Sequence, residues 1–80
     1  MQERNGQPQP QPTLTAALTT LAAELATDHP NAPARYWTIR GRARTHGMTT
    51  DQVDLLLPQP HDGEPRYGYA TRLRHIARAH

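Results

Sequence analysis

The 80-residue sequence contains no cysteine, serine, lysine or phenylalanine. Without cysteine there is no disulfide, no thiolate nucleophile and no Cys-based zinc site. Without serine the commonest hydroxyl nucleophile is missing too. Aromatic residues are few, one Trp and three Tyr, and the large aliphatics are eight Leu, two Ile, one Val and Met48. So little apolar material builds one small domain at most, and marginal stability or help from a partner is expected. The longest run of large apolar side chains, Leu55-Leu56-Leu57, is far short of the roughly 20 residues needed to span a bilayer. The start, Met1-Gln2-Glu3-Arg4-Asn5-Gly6, has no basic segment followed by an apolar block. No signal peptide and a cytoplasmic location are therefore expected. The five histidines, His29, His46, His61, His75 and His80, include no i, i+4 pair, and no carboxylate completes a ligand set at convincing spacing. A Gly-rich phosphate loop is also missing. The expectation is a protein that is not an enzyme and carries no cofactor and no metal.

Charge is nearly balanced at +2 but unevenly distributed. Residues 1–34 sum to −2, residues 35–46 to +4, residues 47–65 to −4 and residues 66–80 to +4. All nine cations are arginine, whose planar fork suits phosphate and carboxylate. Arg35, Arg40, Arg42 and Arg44 fall within ten residues without an intervening acid. Such a block repels itself unless an anion is bound.

Residues 1–12, with Gln-Pro-Gln-Pro-Gln-Pro near their end, predict a disordered or polyproline-like leader outside the fold. From Thr13 the pattern changes. Leu14, Leu18, Leu21 and Leu25 recur at helical spacing, with Thr13 or Thr15 as cap and Asp28-His29-Pro30 as stop. A second helix places Tyr36, Ile39 and Ala43 on one face, and Tyr36 and Trp37 are expected as core anchors. Gly41 in its middle marks either a later start near Thr38 or a close approach of another backbone. Thr49 with Gln52 forms a capping box, Met48 and Val53 supply the apolar staple, and Asp51 suits the positive end of the helix. The third helix therefore opens at Thr49 and ends before Pro58. Asp62-Gly63 signals a turn, and Arg66-Tyr67-Gly68-Tyr69 is expected as the returning strand of a short hairpin. Tyr69, Leu73, Ile76 and Ala77 then close the chain on a basic amphipathic helix.

Ala43, Gly47 and Val53 stand at offsets of zero, four and ten, the spacing of a helix-turn-helix: a small residue at the crossing, a turn residue tolerant of positive φ and an apolar anchor. Thr38-Ile39, Ala43, Gly47-Met48-Thr49 and Val53, followed by Leu57-Pro58-x-Pro60, Arg66-Tyr67-Gly68-Tyr69 and Leu73-x-x-Ile76, resemble the MerR and excisionase group of winged helix-turn-helix domains over residues 37–77. The resemblance implies a recognition helix opening at Thr49, with Thr50, Gln52 and Asp51 toward base edges, and a wing whose Arg66 and Tyr67 touch phosphate.

The expected architecture is thus mainly α: residues 13–80 as one small helix-turn-helix domain of three to four helices with a short hairpin wing. The expected function is duplex DNA binding by a bacterial or phage transcription regulator or recombination-directionality factor, as a homodimer or cooperative array, with no membrane and no small-molecule effector. Thr50 and Gln52 are the expected base contacts, Gln52 by paired hydrogen bonds to adenine. Arg35, Arg40, Arg42, Arg44, Arg66, Tyr67, Arg72 and Arg74 are the expected phosphate contacts. Asp51 and Asp54 oppose a polyanion; Asp54 is expected to pair with a neighbouring Arg. Two other classes use the same residues. An adaptor or inhibitor would dock the Arg-rich face on an acidic protein, and an RNA-binding protein would stack bases on Tyr67 and Tyr69.

Overall fold

A computed structural model describes residues 13–80. The leader expected over residues 1–12 lies outside the described residues. Four helices follow in order: α1 (Leu14–Thr27), α2 (Tyr36–Thr45), α3 (Thr50–Leu56) and α4 (Arg66–Arg78). None is long and apolar enough to cross a membrane.

Helix α1 opens at Thr13, whose hydroxyl accepts from the Ala16 N–H at 3.0 Å and so satisfies one orphan donor of the first turn. It ends at Asp28. His29 follows at a φ of 54°, and Pro30 prevents resumption. Ala17, Leu18, Leu21, Ala22 and Leu25 form the buried stripe of α1. Tyr69, Ala70, Leu73 and Ala77 form that of α4. These two helices pack chiefly on each other, with alanines on both faces. Ile39 and Ala43 from α2, Val53 from α3, and Met48 and Leu57 beside α3 complete the single core. Tyr69, the only fully buried aromatic ring, donates its hydroxyl to the Pro58 carbonyl at 2.6 Å. Burial pushes its phenol well above the ordinary range. The bond fastens α4 to the segment leaving α3.

The hairpin wing is not formed among the described residues, because Arg66-Tyr67-Gly68-Tyr69 is the first turn of α4. The helical spacing of Tyr69, Leu73 and Ile76 continues backward into this segment. The alternation of Tyr67 and Tyr69 imitates a strand, since Tyr67 is exposed and Tyr69 buried in the helix as well. Backbone geometry reinforces the choice. The orphan N–H groups of Arg66 and Tyr67 donate to the carbonyls of Ala32 (2.9 Å) and Pro30 (3.0 Å), and the Ala34 N–H donates to the Glu64 carbonyl (2.8 Å). The two loops that precede α2 and α4 thus clip together, with one isolated bridge between Pro33 and Pro65.

Gly41 lies inside α2, which begins at Tyr36. A methyl group there would meet nothing within 4 Å. Neither reason expected for this glycine applies: it is neither a helix start nor a close backbone approach.

Candidate nucleic-acid interface

Helices α2 and α3 are joined by a short turn through His46, Gly47, Met48 and Thr49. Gly47 has a φ of 94°, which side chains with a Cβ adopt only with strain, so glycine is required where the turn reverses. The Met48 N–H returns to the Ala43 carbonyl at 3.1 Å. Ala43 and Val53 are buried without residual exposure, and Met48 is 2% exposed. The capping box is complete: Thr49 Oγ1 accepts from the Gln52 N–H at 3.1 Å, and Gln52 Oε1 accepts from the Thr49 N–H at 2.9 Å. Only Val53 of α3 is buried, while Thr50, Asp51, Asp54 and Leu55 face outward.

The two helices touch along an outward seam. Arg44 donates to the Thr50 hydroxyl, and Arg40 donates to the Asp54 carboxylate. The seam therefore has two ends. At one, the C-terminus of α2 meets the first turn of α3, with Arg44, Thr50 and Asp51 exposed. At the other, the first turn of α2 lies toward the end of α3, with Trp37 and Leu55 exposed by 77% and 82%. The expectation that Trp37 anchors the core is corrected. Tyr36, Ile39 and Ala43 occupy the inward positions of α2, and Trp37, one residue beyond Tyr36, is rotated off that stripe by about 100°.

The expected phosphate ligands divide by their partners. Arg42 donates to Asp28 Oδ2 at 2.6 Å and to Glu24 Oε1 at 3.4 Å. Arg66 donates to the Asp28 carbonyl at 3.0 Å and lies 3.7 Å from its carboxylate. Arg72 reaches Glu64 at 2.5 Å. With Arg40 on Asp54, four guanidinium groups are thus satisfied inside the domain. Arg35, Arg74 and Arg78 have no ion-pair partner among the described residues, and Arg44 is held only by a neutral hydroxyl. All four are exposed, as is Tyr67. Tyr67, Arg74 and Arg78 fall on one outward stripe of α4, with Thr71 between them.

The network at the end of α1 was missed in the sequence. Hydrogen bonding from His46, whose Nε2 lies 2.8 Å from Glu24 Oε2, holds the Glu24 carboxyl below its ordinary range, with Arg42 adding to the effect. Arg42, then His29, does the same to Asp28. A signal was present. Glu24 and Asp28 sit one turn apart at the C-terminal end of a helix, where the macrodipole disfavours negative charge, so both acids demand cations.

The expected base contacts are also engaged. Gln52 Oε1 accepts from the Thr49 N–H in the capping box, so the side chain is folded back on the start of α3 rather than extended toward a base edge. Thr50 keeps its own hydroxyl proton, because there it accepts from Arg44. Among the described residues no group of three His, Asp or Glu side chains is placed to hold a metal ion. Comparison of the chain with protein-family models, with curated proteins and with solved structures finds no match.

Proposed function

We propose that the protein binds duplex DNA without catalysis, with α2 and α3 acting as a helix-turn-helix, in a transcription regulator or a recombination-directionality factor. The observation that carries this reading is the Arg44 end of the seam. There the Arg44 guanidinium, with no ion-pair partner among the described residues, stands beside the outward first turn of a short helix whose entry angle is fixed by Gly47, the capping box and the Met48–Val53 staple.

Phosphate contacts, rather than base contacts, dominate this mode of binding. Arg35, Arg44 and Arg74 are the cations offered to phosphate, with Tyr67 as a neutral donor and Arg78 extending the α4 stripe. Arg40, Arg42, Arg66 and Arg72 hold the fold instead, since each would have to abandon a carboxylate to reach DNA. Thr50, which keeps its hydroxyl proton, and Gln52, whose capping-box role uses Oε1 and leaves the Nε2 protons, are the only base contacts α3 offers, so sequence preference is weak for one copy. Specificity then requires two or more copies on neighbouring sites.

The test is binding of labelled random duplex, single-stranded DNA and RNA over a salt series. Each phosphate neutralised contributes a slope of about −0.9 in log K against log salt. Arg44→Ala is expected to weaken duplex binding for all sequences and to flatten the slope by about 1. Duplex binding that is absent, or indifferent to salt, ends this reading. Preference for single strands, lost on Tyr67→Ala, selects the RNA-type alternative.

A further inference from the structure

The loop between α3 and α4 carries a chemistry that nucleic-acid binding does not use. Of the aspartates, Asp28, Asp51, Asp54 and Asp62, only Asp62 is followed by glycine. Asp62 and Gly63 form an exposed turn. It is closed twice: the Glu64 N–H donates to the His61 carbonyl at 3.0 Å, and the His61 N–H donates to Glu64 Oε1 at 2.9 Å. Neither the Asp62 carboxylate nor the Gly63 N–H has a hydrogen-bond partner among the described residues. Gly63 has a φ of 74°, and a methyl group there would meet nothing within 4 Å, so the space beside it is open. The other aspartates are shielded. Arg42 and His29 hold the Asp28 carboxylate, and Arg40 holds that of Asp54. After Asp51, the Gln52 N–H is committed to Thr49 Oγ1 at 3.1 Å, and after Asp54, Leu55 lies inside α3.

We propose that Asp62-Gly63 is a spontaneous modification site, at which the main chain passes into the isoaspartyl form with water as the only reactant. The Gly63 amide nitrogen gives up its proton and attacks Cγ of the protonated Asp62 carboxyl, and one carboxyl oxygen leaves as water. The product is a five-membered succinimide. Water then opens the ring. Addition at Cγ restores aspartate, while addition at the Asp62 main-chain carbonyl breaks its bond to the Gly63 nitrogen and leaves Gly63 joined through Cγ. Nothing is oxidised or reduced. Glycine matters because it puts no Cβ beside the attacking nitrogen, and the two groups are already tethered in one short segment. The consequence reaches the fold. Isoaspartate adds one atom to the main chain inside the turn, and both closures lose register at Glu64. The Glu64 side chain is only 8% exposed and holds Arg72 at 2.5 Å, and its carbonyl accepts from the Ala34 N–H at 2.8 Å. Isomerisation therefore loosens the clip between the loops that precede α2 and α4.

The test needs no DNA and does not depend on the DNA-binding reading. The full chain is aged in heavy-oxygen water, folded in one sample and unfolded in urea in another. Tryptic peptides are then fragmented so that each aspartate is scored separately. Every passage through the ring leaves heavy oxygen in the residue. Asn5-Gly6, which closes the same ring with loss of ammonia, falls in a different tryptic peptide. In the folded chain, label and isoaspartate are expected to concentrate at Asp62, at a rate close to that in urea, because no local opening is needed to free its groups. Asp28, Asp51 and Asp54 lose on folding whatever reactivity they show in urea. Asp62→Glu, which would need a six-membered ring, and Gly63→Ala abolish the label at residue 62, while circular dichroism shows each variant still folded. Hydrogen exchange on the isomerised fraction shows lost protection at the Ala34 amide. Label at Asp62 no greater than at the other aspartates, or strong suppression of it on folding, overturns the proposal. Full protection of the Ala34 amide in the isomerised fraction overturns its link to the clip.

Discussion

The pair α1–α4 and the pair α2–α3 use similar material to opposite ends. In the first, Leu18, Leu21, Leu25, Tyr69 and Leu73 retain no exposed surface, and alanines let the helices approach closely. In the second, Ile39, Ala43 and Val53 are buried while Trp37 and Leu55 remain outside. Helix α3 is only seven residues long. It is held by its cap, by Val53 with Leu57 behind it, and by two polar contacts to α2. The difference teaches that one pair is a scaffold completed by its own packing. The other is a platform with packing left over, and weakly packed elements of this kind are where proteins place binding surfaces.

The largest effect expected is on the scaffold. Leu73→Ala removes a fully buried side chain between α1 and α4 and costs about 2–5 kcal/mol. That is comparable to the whole stability of so small a domain, so urea or thermal melts should find the variant largely unfolded. If Leu73→Ala melts like the parent, the scaffold role is misassigned. A middle-sized effect belongs to the platform. Thr49→Ala removes one half of the capping box and costs about 1 kcal/mol. Hydrogen exchange should localise the loss to α3, while the amides of α1 and α4 keep their protection. Uniform loss across all four helices would show that the two halves do not differ in the way described.

The smallest effect is that of acid on the ties between the halves. Glu24 and Asp28 have depressed carboxyl pKa values in the folded chain, so the stability they contribute is present above the unfolded-state values and is lost as the pH falls through the lower, folded ones. A melting temperature that is level down to about pH 5, then declines below the ordinary values of 4.5 and 3.8, is expected from these two groups. Arg42→Gln, which removes the cation common to both, should make the decline shallower. Pairs this exposed contribute little individually, and an acid profile unchanged in Arg42→Gln would remove them from the account.

Local rules made much of this legible. The leucine stripe gave α1 its extent, and three agreeing signals put the start of α3 at Thr49. The Ala43, Gly47, Val53 spacing placed the turn between α2 and α3, and Pro58 marked the end of α3. Where two periods competed, as at Arg66-Tyr67-Gly68-Tyr69, the sequence pattern was ambiguous, and the carbonyls of Pro30 and Ala32 decided for helix. These carbonyls lie more than thirty residues upstream and carry no mark in the local sequence. Trp37 misled for a related reason: hydrophobicity states what a side chain prefers, whereas its angle on the helix states what it receives.

By itself the sequence determined the course of α1, the capping box that opens α3 and the uneven distribution of charge, because these follow from bonds and spacings within a few residues. Only the tertiary structure decided which arginines are spent on Glu24, Asp28, Asp54 and Glu64 and which stay available. It also decided that the sole tryptophan and Leu55 meet water. Pairing of charges and burial of faces depend on which helices come together, and that is set by the summed fit of α1 against α4 rather than by any residue's own preference.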